Sequence, residues 1–392
     1  MYLKPKKSGE GHPLFPVVCE EMDEIVVNRR VDEYYMRRAL SLALRGTGRT
    51  SPNPMVGCVL VRDGRVLGEG WHRRCGEDHA EVAALKDAEG RGETARGAEV
   101  YVTLEPCCHF GRTPPCAQRL IREGVSRVVA GTTDPNPKVN AGGLTALREA
   151  GVEVTAPCLE KEARWLNRGF IRVQTLGRPW VTLKAASGLD GRMALTDGDS
   201  RWITGPEARQ WAHRMRATHD AILVGVGTVL KDDPELTVRH TEGQSPLRVI
   251  LDSHLRTPPS ARALRGGCLI LTISQEVERG RPLQDAGARV VPLPSRGGRV
   301  DLEAALSFLA REGVLMLMVE GGPRVLTALM ERHLADSLSL FVAPRVLGEG
   351  IGMGEGFSPA SVADSLNLRD VTSRPVGDNL LLEGRFSCSP DL

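Results

Sequence analysis

Residues 78–85 read DHAEVAAL, and residues 104–116 read LEPCCHFGRTPPC. Between them they bring two His and three Cys close together, with Glu81 two residues after His79. A catalytic zinc takes three protein ligands from His nitrogen and Cys thiolate and keeps one position for water. His79 at the start of a helix, with Cys107 and Cys116 around the next strand-to-helix turn, fits that plan. Such a metal lowers the pKa of its water to about seven, and Glu81 is then the carboxylate placed to shuttle protons.

Working outward, Met36, Ala39, Leu40 and Ala43 recur at helical spacing and predict a helix over 32–45 that ends at Gly46. MVGCVLV and RVLGEGWH, joined through Asp63-Gly64, predict a β-hairpin. The helical stretch HAEVAALKDAE, the strand EVYVTLEP and the helix CAQRLIREG follow. VSRVVAGTT, GGLTALREAG and VEVTAP then read as strand, helix and strand, and 159–172 as a closing helix. Helices alternating with short apolar strands argue for an α/β sandwich. TLGRP at 175–179 is a Gly/Pro boundary. Beyond it a second α/β series runs from the strand WVTLKAA through the strands AILVGVGTV, LRVILDS, CLILTIS and ARVVPLP. The helix DLEAALSFLAREG and the strand VLMLMVEGG follow, then a helix over 323–332, the strand SLSLFVAP and a terminal hairpin.

The chain has 392 residues, 41% hydrophobic and 26% charged, with 51 basic against 49 acidic residues. That balance disfavours a polynucleotide partner, because phosphate neutralisation supplies most of that affinity. No apolar run is long enough for a membrane helix, and nine scattered Cys do not form a disulfide framework. The expectation is a cytoplasmic protein with no membrane or nucleic-acid partner; homo-oligomerisation is left open. Residues 1–30 read as an extension without stable order.

His-x-Glu followed by Pro-Cys and a further Cys is the pattern of zinc-dependent nucleobase deaminases, in which two residues separate the cysteines. Here eight separate Cys107 from Cys116. PCCHFGRTPPC, together with SPNPMVGCV (51–59) and DPNPKVNAGG (134–143), resembles the bifunctional riboflavin-biosynthesis deaminase/reductase family, from about Val31 to the end of the chain. The resemblance implies a cytidine-deaminase-like α/β/α sandwich over 31–175, followed by a dihydrofolate-reductase-like α/β domain over 176–392. It also implies zinc on His79, Cys107 and Cys116, Glu81 as the catalytic acid–base, and Cys108 as a variable neighbour. The rival is a closed structural site with Cys108 or His109 as fourth ligand; Glu81 argues against it, since a structural site needs no proton shuttle.

Further contacts follow from the same resemblance. Asn53 would bind the substrate, a phosphoribosylated pyrimidine. Lys138 and the Gly142-Gly143 backbone would face its phosphate, and His72 would lie near it. In the second half LKAASGLDG, DSRWITG, VGVGTVLKDDPELTVR and LDSHLRTP resemble the family's reductase, which uses NADPH, although Gly188 stands where the family commonly has Ser. Ala186, Trp202, Thr228, Asp232, Ser253 and the Gly322 loop would then contact the cofactor, with Arg256 toward its 2′-phosphate. Ser200, Arg216, Leu236, Arg239 and Glu320 would contact the substrate, the two Arg suiting a phosphate through their planar forks. Two other readings are a deaminase of cytidine or RNA adenosine fused to an unrelated reductase, and a non-catalytic zinc-stabilised nucleotide-binding module.

Overall fold

The computed structural model describes residues 16–108, 115–136 and 142–392, and builds two successive α/β units. The first begins with α1 (Pro16–Ala43) and the hairpin β1 (Gly57–Arg62) and β2 (Arg65–Trp71), whose turn places Asp63 and Gly64 at φ 52° and 73°. It continues with α2 (Ala80–Gly90), β3 (Glu99–Val102), α3 (Cys116–Glu123), β4 (Arg127–Ala130), α4 (Gly142–Glu149) and β5 (Glu153–Thr155). α5 (Glu160–Leu166) and α6 (Arg168–Leu176) close it. The strands form one sheet in the order β2-β1-β3-β4-β5, antiparallel through β2, β1 and β3 and parallel from β3 to β5.

Alternation along β1 sets the two faces. Cys58 and Leu60 pack with Ala80, Ala84, Ala117, Leu120 and Leu147 of α2, α3 and α4, while Val59 and Val61 pack with Met36 and Ala39 of α1. α2 lies very close to the sheet: a Cβ at Gly70 would collide with Ala80 O and Ala84 N. Glycine on β2 and alanine on α2 are what that approach requires.

Residues 16–30, part of the expected N-terminal extension, run into α1, since nothing after Pro16 interrupts a helix and Pro suits its first position; residues 1–15 lie outside the described residues. One expectation changes here. The single helix expected over 159–172 is two, parted at Asn167, whose side chain accepts from Met55 N–H (2.8 Å) and donates to Met55 O (2.9 Å).

The second unit opens with β6 (Trp180–Ser187), β7 (Arg192–Leu195), α7 (Pro206–Ala217) and β8 (Ala221–Gly225). α8 (Val226–Asp232), β9 (Leu247–Leu251), β10 (Cys268–Thr272), α9 (Val277–Asp285) and β11 (Ala288–Pro292) follow. Then come β12 (Ser295–Arg296), β13 (Arg299–Val300), α10 (Leu302–Arg311), β14 (Met316–Glu320), α11 (Pro323–Glu331) and β15 (Ser337–Val342). β16 (Gly350–Gly352) and the hairpin β17 (Leu368–Val376) and β18 (Asn379–Phe386) end it. Nine strands form one sheet, β11-β10-β9-β8-β14-β6-β15-β18-β17, parallel except where β18 pairs with β15 and β17. The expected strand AILVGVGTV stops at Gly225; Val226 and Val229, both buried at a spacing of three, start a helix instead. α9 was not anticipated, its sequence being polar and interrupted by Pro282.

The units are joined through a buried carboxylate. Asp336, just before β15, is fully buried and receives Arg178 through both oxygens (2.7 and 3.1 Å), the Ser389 hydroxyl (2.8 Å) and Val181 N–H (2.9 Å). Arg172 of α6 lies 3.2 Å away, which ties the closing helix of the first unit to the sheet of the second. Removing the carboxylate would leave two arginines buried and uncompensated. Asp336→Ala is therefore expected to destabilise the fold by about 3–5 kcal/mol, measured as a lowered midpoint of denaturant unfolding.

Candidate active sites

Three elements converge at the end of the first sheet. His79 is the residue that caps α2, but its ring makes no capping bond. Its Nδ1 instead lies 3.2 Å from Cys116 Sγ, at the first residue of α3, and 3.6 Å from Cys107 Sγ in the loop after β3. A tetrahedral zinc with Zn–N near 2.0 Å and Zn–S near 2.3 Å needs N–S edges of roughly 3.5 Å, so the donor set and its spacing fit that ion. His79, Cys107 and Cys116 are the one group of potential ligands that closes to metal-binding distance among the described residues. Cys108 turns away, its Sγ lying against Gly142, where a Cβ would approach it to 2.9 Å. His109 lies outside the described residues.

The electrostatics suit a cation. Cys116 N–H, at the start of α3 and without a partner inside the helix, points at Cys107 Sγ (3.3 Å), so the positive helix end faces sulfur. The contact from the Cys116 thiol, then that from His79, pulls Cys107 down to about 4; the same contact and burial hold Cys116 well above the usual thiol range. Glu81, one residue into α2, is only 4% exposed and touches the Cys116 thiol. Burial, then the charge of Cys107, lifts its carboxyl to about 7.

Asn53 reaches this centre through its neighbour. Its amide nitrogen lies 3.1 Å from Nε2 of buried His72, whose Nδ1 contacts Asp78 O at 2.9 Å, and the His72 and His79 rings stand 5.7 Å apart. Of the two backbone N–H groups expected to face a phosphate, that of Gly143 is engaged within the protein. Gly143 N–H donates to Glu105 Oε1 (2.9 Å), and a Cβ there would collide with Pro106 O, so this glycine serves close packing and an internal cap. Lys138 lies outside the described residues.

In the second unit a cleft of about 1550 Å³ opens at the C-terminal ends of β6, β8, β9 and β14, where ligands of open α/β sheets bind. It gathers every residue expected there: Ala186, Ser200, Trp202, Arg216, Thr228, Asp232, Leu236, Arg239, Ser253, Arg256, Glu320 and Gly322 all line it. They differ in what they offer. Trp202 is 63% exposed on the rim, under the Arg209 guanidinium, whereas Leu236 is 2% exposed and belongs to the core. Gly322 N–H donates to Thr228 Oγ1 (3.0 Å), which fixes the turn between β14 and α11.

Arg216 and Glu320 turn out to be partners. Arg216 Nε and Nη2 donate to the two Glu320 oxygens (2.9 and 2.7 Å) and Nη1 to Thr237 O (3.1 Å). Its fork is thus taken up within the protein, and of the two expected phosphate ligands Arg239 is the one at the cleft's edge, held by Glu235 (2.6 Å) and Thr237 (2.9 Å). Burial alone would raise Glu320, yet Arg216 and Lys184 hold it down at about 2. Lys184 pairs opposite Glu320 across β6 and β14 and lines the cleft; burial lowers its ammonium. It was not singled out from the sequence, although a lysine inside the apolar strand WVTLKAA was a signal for it.

Comparison with known proteins identifies the two units. Residues 29–132 match the cytidine and deoxycytidylate deaminase zinc-binding region, and residues 179–382 match the RibD C-terminal domain. The riboflavin biosynthesis protein RibD of Aquifex aeolicus is 44% identical over 358 residues, covering 90% of this chain and 98% of that protein. The chain belongs to the RibD family. A crystal structure of the RibD family from Thermotoga maritima, described as a diaminohydroxyphosphoribosylaminopyrimidine deaminase/5-amino-6-(5-phosphoribosylamino)uracil reductase, matches with a TM-score of 0.83 and 38% identity. It covers 92% of this chain and 99% of its own. Acinetobacter baumannii RibD matches with the same TM-score at 36% identity, covering 92% of this chain and 99% of its own. The fold is therefore that of the RibD family throughout, a cytidine-deaminase-like unit followed by a reductase unit. No helix among the described residues is long and apolar enough to cross a membrane.

This RibD-family metal centre makes a direct prediction. The purified chain should carry a single zinc, and His79→Ala or Cys116→Ser should lose it while Cys108→Ser and Glu81→Gln retain it, as read by elemental analysis after gel filtration.

Proposed function

We propose that the chain catalyses two steps of riboflavin biosynthesis. The first unit hydrolytically deaminates 2,5-diamino-6-(5-phosphoribosylamino)pyrimidin-4(3H)-one to 5-amino-6-(5-phosphoribosylamino)uracil. The second unit reduces the ribosyl group of that product to ribityl with NADPH. The observation that carries this reading is the convergence of His79, Cys107 and Cys116 with the Glu81 carboxyl buried beside them.

Bound by those three side chains, zinc supplies the Lewis acidity that makes water a nucleophile near neutral pH. Glu81 accepts the proton which that water gives up and delivers it to the departing amino nitrogen, leaving a carbonyl and ammonia. A carboxyl poised near neutrality serves both transfers. Asn53, oriented by His72, offers its side-chain amide to the pyrimidine or its ribose. A closed structural site with Cys108 as fourth ligand is disfavoured because Cys108 faces Gly142 rather than the ligand group.

In the cleft, NADPH supplies the hydride and the protein supplies position and charge. Reduction at C1 of the sugar would free the ring oxygen, which must then take a proton. Lys184, an ammonium whose burial favours giving up its proton, is suited to supply it, while Arg216 keeps the neighbouring Glu320 ionised. Arg239 suits the substrate phosphate. Ala186, Thr228, Ser253 and the Gly322 turn form the walls suited to the dinucleotide, with Trp202 and Asp232 at its rim and Arg256 available to the 2′-phosphate.

The two activities are expected to separate. Glu81→Ala should lower ammonia release by about 10²–10⁴-fold while leaving zinc content and reduction of the pre-deaminated compound unchanged. Arg239→Ala should do the reverse, raising KM for reduction about 10- to 100-fold. The paired assays are ammonia release and NADPH oxidation on the same preparations; loss of both activities in either variant would contradict two independent sites.

A further inference from the structure

The loop that carries Asn53 is wedged between the two units, and its contacts on the far side belong to the second. Ser51 brings its side chain to the carboxyl of Asp220, which precedes β8. The other Asp220 contacts are backbone: Oδ2 accepts from Leu315 N–H (2.9 Å) and Met316 N–H (2.8 Å) at the start of β14. Asp220 is thereby fixed to the second sheet before it meets the loop. Pro52 packs on Gly313 of the turn ahead of β14, where an added Cβ would lie 3.5 Å from the proline ring. At Gly48 (φ +70°) a Cβ would come within 2.6 Å of Ala217 O, at the end of α7. On its other side the loop is held by Asn167, through both backbone groups of Met55.

From this clamp a short path leads to the metal centre. Asn53 N–H donates to Thr50 O (2.8 Å), and the Asn53 amide meets His72 (3.1 Å), whose ring stands against that of His79. We propose, resting on the deaminase reading above, that the second unit is a positioning element of the deaminase site: Asp220 and the turn at Gly313 hold the 47–55 loop so that Asn53 meets the pyrimidine substrate. Ser51 and Asp220 act through Asn53 and touch no reacting atom.

The direction of this dependence follows from the topology. Asp220 and the Gly313 turn lie at the N-terminal ends of β8 and β14, whereas the reductive cleft lies at the C-terminal ends of the same strands. The loop therefore meets the second unit on the side away from that unit's own chemistry. Loosening the loop should weaken pyrimidine binding for deamination and leave reduction unaffected.

Ser51→Ala in the full chain tests this, because it removes one hydroxyl and leaves the Asp220 backbone bonds intact. The expected result is a KM for deamination raised about three- to tenfold, with kcat, zinc content and reduction of the pre-deaminated compound within twofold of the unaltered chain. Affinity for the deaminated pyrimidine, measured by calorimetry with Glu81→Gln as the common background, should fall by the same factor. Ser51→Thr, which keeps the hydroxyl, should restore both. In an Asn53→Ala background the Ser51→Ala change should add nothing. An unchanged KM and affinity, an effect that multiplies with Asn53→Ala, or an equal loss in reduction would each overturn the inference. Absence of ammonia release from the unaltered chain would instead overturn the deaminase reading, and the inference with it.

Discussion

The close approach of α2 to β2 is the constraint on which the metal centre depends. Gly70 has no side chain, so Ala80 O and Ala84 N of the helix can sit directly over the strand backbone. That contact sets the height and direction of the helix start, and so the place of His79 relative to Cys116 at the start of α3. A β-carbon at Gly70 would lift α2 away and open the spacing of 3.2 Å between Nδ1 and sulfur. The ligand set is a consequence of backbone packing, and the chemistry of the centre rests on glycine and alanine surfaces that touch no reacting atom themselves.

The second unit uses a different device. Its cleft holds a row of charges, Lys184, Glu320 and Arg216, on adjacent strands and a flanking helix. Buried charges persist only when paired, and here the pairing keeps Glu320 ionised, while at Lys184 burial outweighs it and weakens the hold on the proton. One unit gathers soft ligands for a metal, and the other arranges fixed charges around a dinucleotide-sized cleft. A buried carboxylate, Asp336, and the wedged 47–55 loop join the two.

What could be read from the chain alone follows how local each feature is. His79 and Glu81 lie within three residues and Cys107 and Cys116 within ten, so the candidate ligands were legible from residue type and spacing, while the choice of Cys107 over Cys108 came from the family resemblance. The hairpin at Asp63-Gly64 was legible for the same reason. The pairing of Arg216 with Glu320 spans 104 residues and that of Asn167 with Met55 spans 112, and no periodicity announces either. Without the Met55 contact, 159–172 reads as one uninterrupted helix. Val226 and Val229 were absorbed into an apolar run because a short buried helix and a buried strand look alike in composition. Gly143 misled because glycine at a helix start can serve either an anion or close packing, and only the position of Pro106 O decides between them.

The central claim is that three side chains hold a metal and leave one position for water. X-ray absorption at the zinc edge measures this most directly on the intact chain. The account predicts two sulfur ligands near 2.3 Å and two lighter ligands near 2.0 Å, one imidazole nitrogen and one oxygen. A shell of three sulfurs, or of four protein ligands without oxygen, would mean a closed structural site and contradict it.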